Sequence, residues 1–500
     1  MKQNKEVLIV GAGPTGLVLA LELAYRGVAF RIIDKNDGPG ESSRAMLVVP
    51  KVLESYKKFG LDQTVSEKGI RPEHINYYVK NMKKSAIPLG RLGRGQSAYP
   101  YVVTFPQDEH EKVLLEQLKK MGHSVEWKTA FDSLEKIDDM NKVVLKKQDE
   151  TVTGLFDYVI GCDGASSSVR KSVGITFSGE TYEEIFYVLD AVIDGKITHE
   201  ESGSFVFVEK YFALFFPLRN RQTTRGIGMF PPDLVRSEAF SFEALKPRLE
   251  NEFSITIQKK NWFSDYKIHR RTADQFNQET VFLAGDAAHI HSPAGGQGMN
   301  LGIGDAVNLG WKLAAVILDD VDEALLRTYE SERKRLAESV VSRTDNAFKV
   351  MASQSKVSQL IRTRVVPLAA FAAGQSEWLQ SQVFKVLSQL YISYDESPLN
   401  NQGTSKLKSG TRLPYADGEQ FEFKREAGWQ LHYFNEAPDF SLFKKEIPVE
   451  LIRRRWTDKT SKAGFEKDYL YLVRPDGYIG WTGKPGSTKE LFDYIAVWIT

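Results

Sequence analysis

The sequence predicts an α/β protein: a first domain built on a parallel sheet, a β-rich segment inserted into it, and a smaller separate domain at the C-terminal end. Three observations carry this. Short apolar strands alternate with helical patterns near the start of the chain. Residues 180–270 break that alternation with aromatic, β-rich runs. A polar, turn-rich stretch at 396–412, SPLNNQGTSKLKSGTRL, then sets the remainder apart.

Taken in order, Val7–Val10 reads as a strand, Thr15–Arg26 as a helix and Phe30–Ile33 as a second strand. Pro50–Phe59 reads as a helix, with Pro50 suited to its first turn and Gly60 to its C-terminal cap. Tyr158–Ile160 is a further strand. Ser204–Val208 and Phe212–Leu218 suggest a second sheet, and Trp262, Phe263 and Tyr266 continue its aromatic character; most of these rings read as core, some as pocket wall. The chain returns to α/β character at Val281–Ala284, and a long helical region follows from about 298 to 395. The domains expected are 1–180 with 271–395, the insert 181–270, and 410–500.

At 500 residues the chain has room for about three domains of ~150 residues. Lys plus Arg number 66 and Asp plus Glu 65, a balance that gives no pull toward nucleic acid or an acidic membrane. Cys162 is the single cysteine, so no internal disulfide or CxxC pair can form, which fits a reducing, cytoplasmic location. Residues 7–24 imitate a signal peptide, but three glycines, Pro14 and Glu22 interrupt them. No later segment reads as long and apolar enough to span a bilayer.

The first motif is Gly11-Ala12-Gly13-Pro14-Thr15-Gly16, between a strand and a helix. Gly11 permits a tight turn, Gly13 lets a pyrophosphate approach the backbone, and Gly16 allows close helix–strand packing. The amides of the helix N-terminus then face the phosphates. Asp34 ends the second strand 23 positions after Gly11, close to the ~20 expected of a ribose-binding acid. This context marks a Rossmann-type dinucleotide site; a merely tight strand–helix turn is the plainer alternative.

The second motif runs from Gly161 to Arg170, GCDGASSSVR, and by itself could be a surface turn with serine caps. The third runs from Phe282 through His289 and on from Ser292 to Asn300. It again combines strand, acid, glycine loop and helix start. Asp286, His289 and His291 could bind a metal, but the glycines and apolar residues around them supply no further ligand. Gly302-Ile303-Gly304 is too isolated, and lies too far inside a helix, to be a second dinucleotide site.

In this order the three motifs resemble the class A flavoprotein monooxygenases of the p-hydroxybenzoate hydroxylase fold. The nearest branch is that of the aromatic and polyketide hydroxylases related to phenol hydroxylase. Asp305–Leu313 and Tyr329–Arg333 match the family's following helices, and Val473–Trp481 matches its C-terminal domain. The resemblance implies a Rossmann-like FAD-binding domain, an inserted β-sheet substrate domain and a C-terminal thioredoxin-like domain. The last has no cysteine and so no redox chemistry; packing or assembly is its implied role, and Asp476 is expected in a surface turn of it.

The same resemblance places FAD on Gly11, Gly13, Pro14, Thr15 and Gly16, with the ribose acid at Asp34 beside Lys35. Arg44 would reach the pyrophosphate, and Gln107 precedes the next long helix. Asp163 belongs to a motif associated with both FAD and NAD(P)H. Asp286 would contact ribityl or phosphate groups, Pro293 would lie beside the flavin ring, and amides around Gly298, Met299 and Asn300 would face its pyrimidine edge. The implied cycle has NADPH or NADH, bound transiently, reduce FAD; O₂ adds to the reduced ring, and the hydroperoxide passes one oxygen to a small aromatic or polycyclic substrate. A base that ionises a phenol would help, but no residue is identified for it. No nucleic acid or membrane partner is implied, and a homodimer is left open. Rival readings are a reductase or oxidase on the same fold and a flavin-carrying regulator; a halogenase would need a WxWxIP-type segment, which is absent.

Overall fold

A computed structural model describes residues 5–40, 45–90, 92–148, 150–208, 211–219, 221–237, 240–291, 296–353, 355–401, 403–416, 418, 428–435 and 448–500. Val7–Val10 is fully apolar and buried, as a strand covered on both faces must be. It pairs in parallel with Phe30–Ile33 on one side and Tyr158–Gly161 on the other, and Tyr158–Gly161 pairs in parallel with Val281–Leu283. Asn277–Gln278 adds a short antiparallel edge. The register sets Val10 opposite both Ile33 and Gly161, and Gly161 opposite Leu283. All three sequence motifs, together with Asp34, therefore leave the sheet at one edge, the carboxyl end where ligands of open α/β sheets bind.

Two helices pack over this sheet. Pro14–Arg26 starts with proline at its first turn and ends at Gly27 with φ +81°. Gly298–Leu318 crosses it closely, because Gly302 and Gly310 leave room for Thr15 and Glu22. Contrary to the sequence expectation, Gly298–Leu318 is long and apolar enough to span a membrane, but 78% of its apolar 18-residue stretch is buried inside the fold. The apolar run serves a core helix.

The second sheet differs from the expected insert. It is eight-stranded, in the order 289–290, 255–273, 177–195, 223–229, 212–218, 202–207, 74–79 and 82–88. The hairpin at 74–88 thus belongs to it, not to the parallel sheet, and the insert is not confined to 181–270. His74–Val79 pairs in parallel with Ser202–Phe207, a partner that only the tertiary fold brings within reach. The paired strands Phe177–Gly195 and Ile255–Ala273 carry the chain into and out of this sheet.

At the C-terminal end the strand order is 449–453, 429–433, 470–473, 479–483, with the first pair parallel and the others antiparallel, and the helix Thr488–Trp498 follows. Residues 396–412 are not a loose tether. Ser397, Leu399, Ser405 and Ser409 are buried, Ser397 Oγ donates to Glu332 at 2.6 Å, and Asn401 exchanges bonds with the backbone of Thr482. Asp476 is likewise not in a surface turn. It is buried, 2.6 Å from Arg474, and accepts from Trp311 Nε1 at 3.2 Å. Polar residues in these segments pair with polar partners on distant elements, which local composition does not reveal.

Candidate functional site

At the carboxyl edge of the parallel sheet, Gly11 has φ +105°, and a Cβ there would lie 2.4 Å from Cys162 O. A Cβ on Gly16 would lie 1.9 Å from Gly11 O. Both glycines are required by close approach, which presses the first motif against the second. A Cβ on Gly13, by contrast, would meet nothing within 4 Å: the space before the helix N-terminus is open. Asp34 accepts from Ala12 N at 2.7 Å and Asn36 N at 2.9 Å, so its carboxylate is fixed beside that space. Lys35 next to it is exposed.

Gln107 Nε2 donates to Glu111 at 2.9 Å, and Glu111 also accepts from Gly40 N at 2.9 Å. Gln107 N donates to Ala45 O at 3.1 Å. The helix Gln107–Lys120 thereby holds both ends of the segment that carries Arg44, itself outside the described residues. Burial raises the Glu111 carboxyl above its ordinary range. Arg225 reaches the same place from the second sheet, donating to Ala45 O at 3.4 Å while forming a buried bidentate pair with Asp190 at 2.7 Å and 2.7 Å.

In the second motif, Asp163 Oδ2 accepts from Ser168 N at 2.6 Å and Val169 N at 3.2 Å, and Oδ1 is a buried acceptor with no partner among the described residues. Arg170 joins this motif to the third: its guanidinium donates to Ala165 O and Ala287 O, at 2.9 and 2.8 Å, and stacks over Phe177. In the third motif, Gly285 has φ +61° and lies against Thr15, while Asp286 stands exposed in the turn Gly285–Ala287.

The organiser of that turn is Asp305, to which sequence reasoning gave no role. Fully buried, it accepts from Gly285 N at 2.9 Å, lies 2.8 Å from His289 Nε2, and pairs with Arg333 Nε at 2.6 Å. Burial opposes its charge, but Arg333 and His289 hold its carboxyl below the usual range. A signal was present: Asp305 and Lys312 are the only charged residues in the apolar run Gly298–Leu318, and buried charges require partners.

The helix Gly298–Leu318 begins at this site, and its first amides have no intrahelical acceptor. The Asn300 side chain is fully engaged: it accepts from Val49 N at 3.1 Å and donates to Leu47 O and Gly296 O, at 2.8 and 2.9 Å. At Asn300 it is therefore the backbone, not the side chain, that remains available to a ligand. Pro293 lies outside the described residues.

Strand register places Tyr77, Phe205, Leu214, Ile227, Val188 and Ser264 in one cross-strand row. The neighbouring row, Phe216–Arg225–Asp190–Trp262, lies on the same face. Phe216 packs on Met46, next to Ala45, so this face looks toward the parallel-sheet edge. The opposite face, with Tyr187, Leu189 and Phe215, is sealed by the helix Phe242–Phe253.

Open space at Gly13, the fixed acid Asp34, the Asp163 oxygen unpartnered among the described residues and the helix-start amides together fit a dinucleotide with ribose and pyrophosphate groups. A family model described as FAD binding domain matches residues 4–344. A flavin-dependent monooxygenase of Mycobacteroides abscessus is 33% identical, over 98% of this chain and 99% of that protein. The 6-methylpretetramide 4-monooxygenase of Streptomyces rimosus is 28% identical, over 79% and 71% of the two chains. The solved structure of an anhydrotetracycline hydroxylase from Streptomyces rimosus superposes with a TM-score of 0.78 at 27% identity, covering 99% of both chains. The chain therefore belongs to the FAD-binding domain family, within the class A FAD-dependent aromatic monooxygenases.

Proposed function

We propose that this enzyme hydroxylates a polycyclic or other extended aromatic compound lying between the parallel-sheet edge and the inner face of the second sheet. The carrying observation is the row Tyr77–Phe205–Leu214–Ile227–Val188, an apolar wall several strands wide. Relatives named for 6-methylpretetramide and anhydrotetracycline support a fused-ring substrate. Bound FAD supplies the redox chemistry, taking hydride from NAD(P)H and activating O₂.

The chain's own part is to bind and orient. Gly11, Gly13, Pro14, Thr15 and Gly16 cradle the pyrophosphate, and Asp34 with Lys35 takes a ribose. Asp163 and Asp286 take further hydroxyls or phosphates, and Arg44 is the cation assigned to the pyrophosphate. Pro293 and the amides of Gly298, Met299 and Asn300 meet the ring system. The apolar wall excludes water from the reacting face. A cleft of about 440 Å³ carries Arg270, Arg271 and Lys334 beside the carboxylates Asp274 and Glu338, and its three cations are the groups that would meet the phosphates of the transient reductant.

The division into 1–180 with 271–395, 181–270 and 410–500 is kept, with 74–88 reassigned to the insert. One parallel and two antiparallel pairings followed by a helix support a thioredoxin-like reading of the last unit. A cytoplasmic location agrees with the lone Cys162. The test is to screen phenols, quinones and fused-ring polyketides for accelerated NADPH oxidation under ¹⁸O₂. One labelled atom in the product is expected; product oxygen from water, or no compound that accelerates oxidation, would overturn the reading.

A further inference from the structure

Two rows of buried charge connect the C-terminal unit to the turn that carries Asp286. The first row runs Gly285 N–Asp305–Arg333, and Arg333 Nη1 donates to Tyr394 Oη at 3.0 Å. The second is centred on Glu332, next to Arg333 on the helix Ala324–Ala352. Glu332 accepts from Lys312 at 2.8 Å, from Asn308 at 2.6 Å, and from Arg474 at 2.6 and 3.0 Å. Arg474 belongs to the C-terminal unit and is completely buried. It pairs with Asp476, and its guanidinium lies 5.2 Å from the centre of the Tyr394 ring.

Arg474 therefore touches both rows. It binds Glu332 directly, and it packs on the tyrosine whose hydroxyl accepts from Arg333. Burying these charges is costly unless the partners are in place: removing Arg474 takes the cation from Asp476 and leaves Glu332 only Lys312 as a counter-charge in a dry interior. The helices Gly298–Leu318 and Ala324–Ala352 are fixed relative to each other by these contacts. The Asp305 carboxylate that orients Gly285 N rides on the first helix, and its arginine partner on the second.

We propose that Arg474 is a positioning residue for the cofactor: the C-terminal unit, which has no redox cysteine, holds the Gly285–Ala287 turn in its FAD-binding geometry through Arg474, Glu332 and Tyr394. The proposal rests on FAD binding at that turn and gives the C-terminal unit a part in it. Nothing is transferred; the effect is on how tightly and in what environment the FAD phosphates are held.

The experiment uses the full-length holoenzyme and reads the FAD dissociation rate and the ³¹P shifts of the bound pyrophosphate. Arg474→Met should speed dissociation about tenfold and move the ³¹P signals, with Arg474→Lys intermediate. Phe465→Leu, in the separate core of the C-terminal unit, is the stability control. Should Arg474→Met not fold, Tyr394→Phe, which removes only the Arg333 bond, should move the ³¹P signals in the same direction. The proposal is overturned if the soluble variants keep the wild-type rate and shifts, or if Phe465→Leu changes them equally. A wild-type protein that retains no FAD would instead overturn the cofactor placement itself.

Discussion

Thr15 and Gly285 share one space: a Cβ on Gly285 would lie 2.5 Å from Thr15 Oγ1, and a Cβ on Gly302 only 2.4 Å from the same atom. The first motif, the third motif and the helix behind it are thus fitted around a single hydroxyl. Gly302→Ala should cost about 1–3 kcal/mol by overpacking, and Thr15→Ala in the same chain should recover most of it. Gly285→Ala adds left-handed strain of ~1–2 kcal/mol, which Thr15→Ala cannot relieve. Urea midpoints of the singles and doubles check this; no recovery of Gly302→Ala would show that the hydroxyl is not the obstacle.

Asp286→Ala should weaken FAD binding by about 1.5–3 kcal/mol, tenfold to a hundredfold, the value of a charge-assisted hydrogen bond. Asp458→Ala is the comparison, because Asp458 is exposed at the start of a short C-terminal helix. Asp476 cannot serve, being buried against Arg474. Fluorescence titration of the apoproteins with FAD measures both, and equal affinities would remove Asp286 from the site.

Asp190→Ala takes from the buried Arg225 the carboxylate it pairs with and should cost about 3–5 kcal/mol. The double variant Asp190→Ala/Arg225→Met should lose less than Asp190→Ala alone, because no buried charge then lacks a partner. Chemical unfolding of the set decides it; a double variant less stable than the single would refute the account.

His110 is buried beside Tyr56, 2.8 Å from its hydroxyl, and burial lowers its pKa from the ordinary 6.5 to about 4. Between those values the unfolded chain binds the proton and the folded one does not, so stability falls as pH drops from 6.5 toward 4, by up to about 3 kcal/mol. Glu332 acts lower down: Arg474 and Lys312, outweighing burial, hold its carboxyl below the ordinary 4.5, so its contribution is present above 4.5 and is lost as pH falls further. Thermal midpoints against pH should show His110→Gln making the first range less steep, with buried His432, lowered to about 3, supplying part of what remains, and leaving the second range unchanged. An unchanged profile would place the acid sensitivity elsewhere.

Leu214→Ala and Ile227→Ala truncate the apolar wall and should lower kcat/KM for a fused-ring substrate about tenfold each. The KM for NADPH should stay near its wild-type value, since neither residue lines the Arg270–Lys334 cleft. Steady-state kinetics with each substrate varied separates the two; a matching rise in the NADPH KM would argue against the wall as the aromatic site.

Much of the site could be read along the chain because its signals are local. Positive φ at Gly11 and the close approach at Gly16 follow from a tight strand–helix turn. The strands Val7–Val10, Phe30–Ile33 and Phe212–Leu218 follow from short apolar runs, and the cap at Gly60 from glycine's freedom at φ +69°. Parallel pairing then needs only that Val7–Val10, Phe30–Ile33, Tyr158–Gly161 and Val281–Leu283 lie side by side for Gly11, Asp34, Asp163 and Asp286 to meet at one edge.

What the tertiary structure alone decided is which distant groups pair. A buried charge announces that it needs a partner but not which one: nothing near Asp305 names Arg333 or Gly285, and nothing near Asp476 names Arg474's reach to Glu332. The hairpin at 74–88 has the alternation of any half-buried strand pair, and only the edge offered by Ser202–Phe207 commits it to the second sheet. Backbone conformation is set by neighbours within a few residues, whereas desolvated charges and strand edges are satisfied by whatever the completed fold brings within about 3 Å of them.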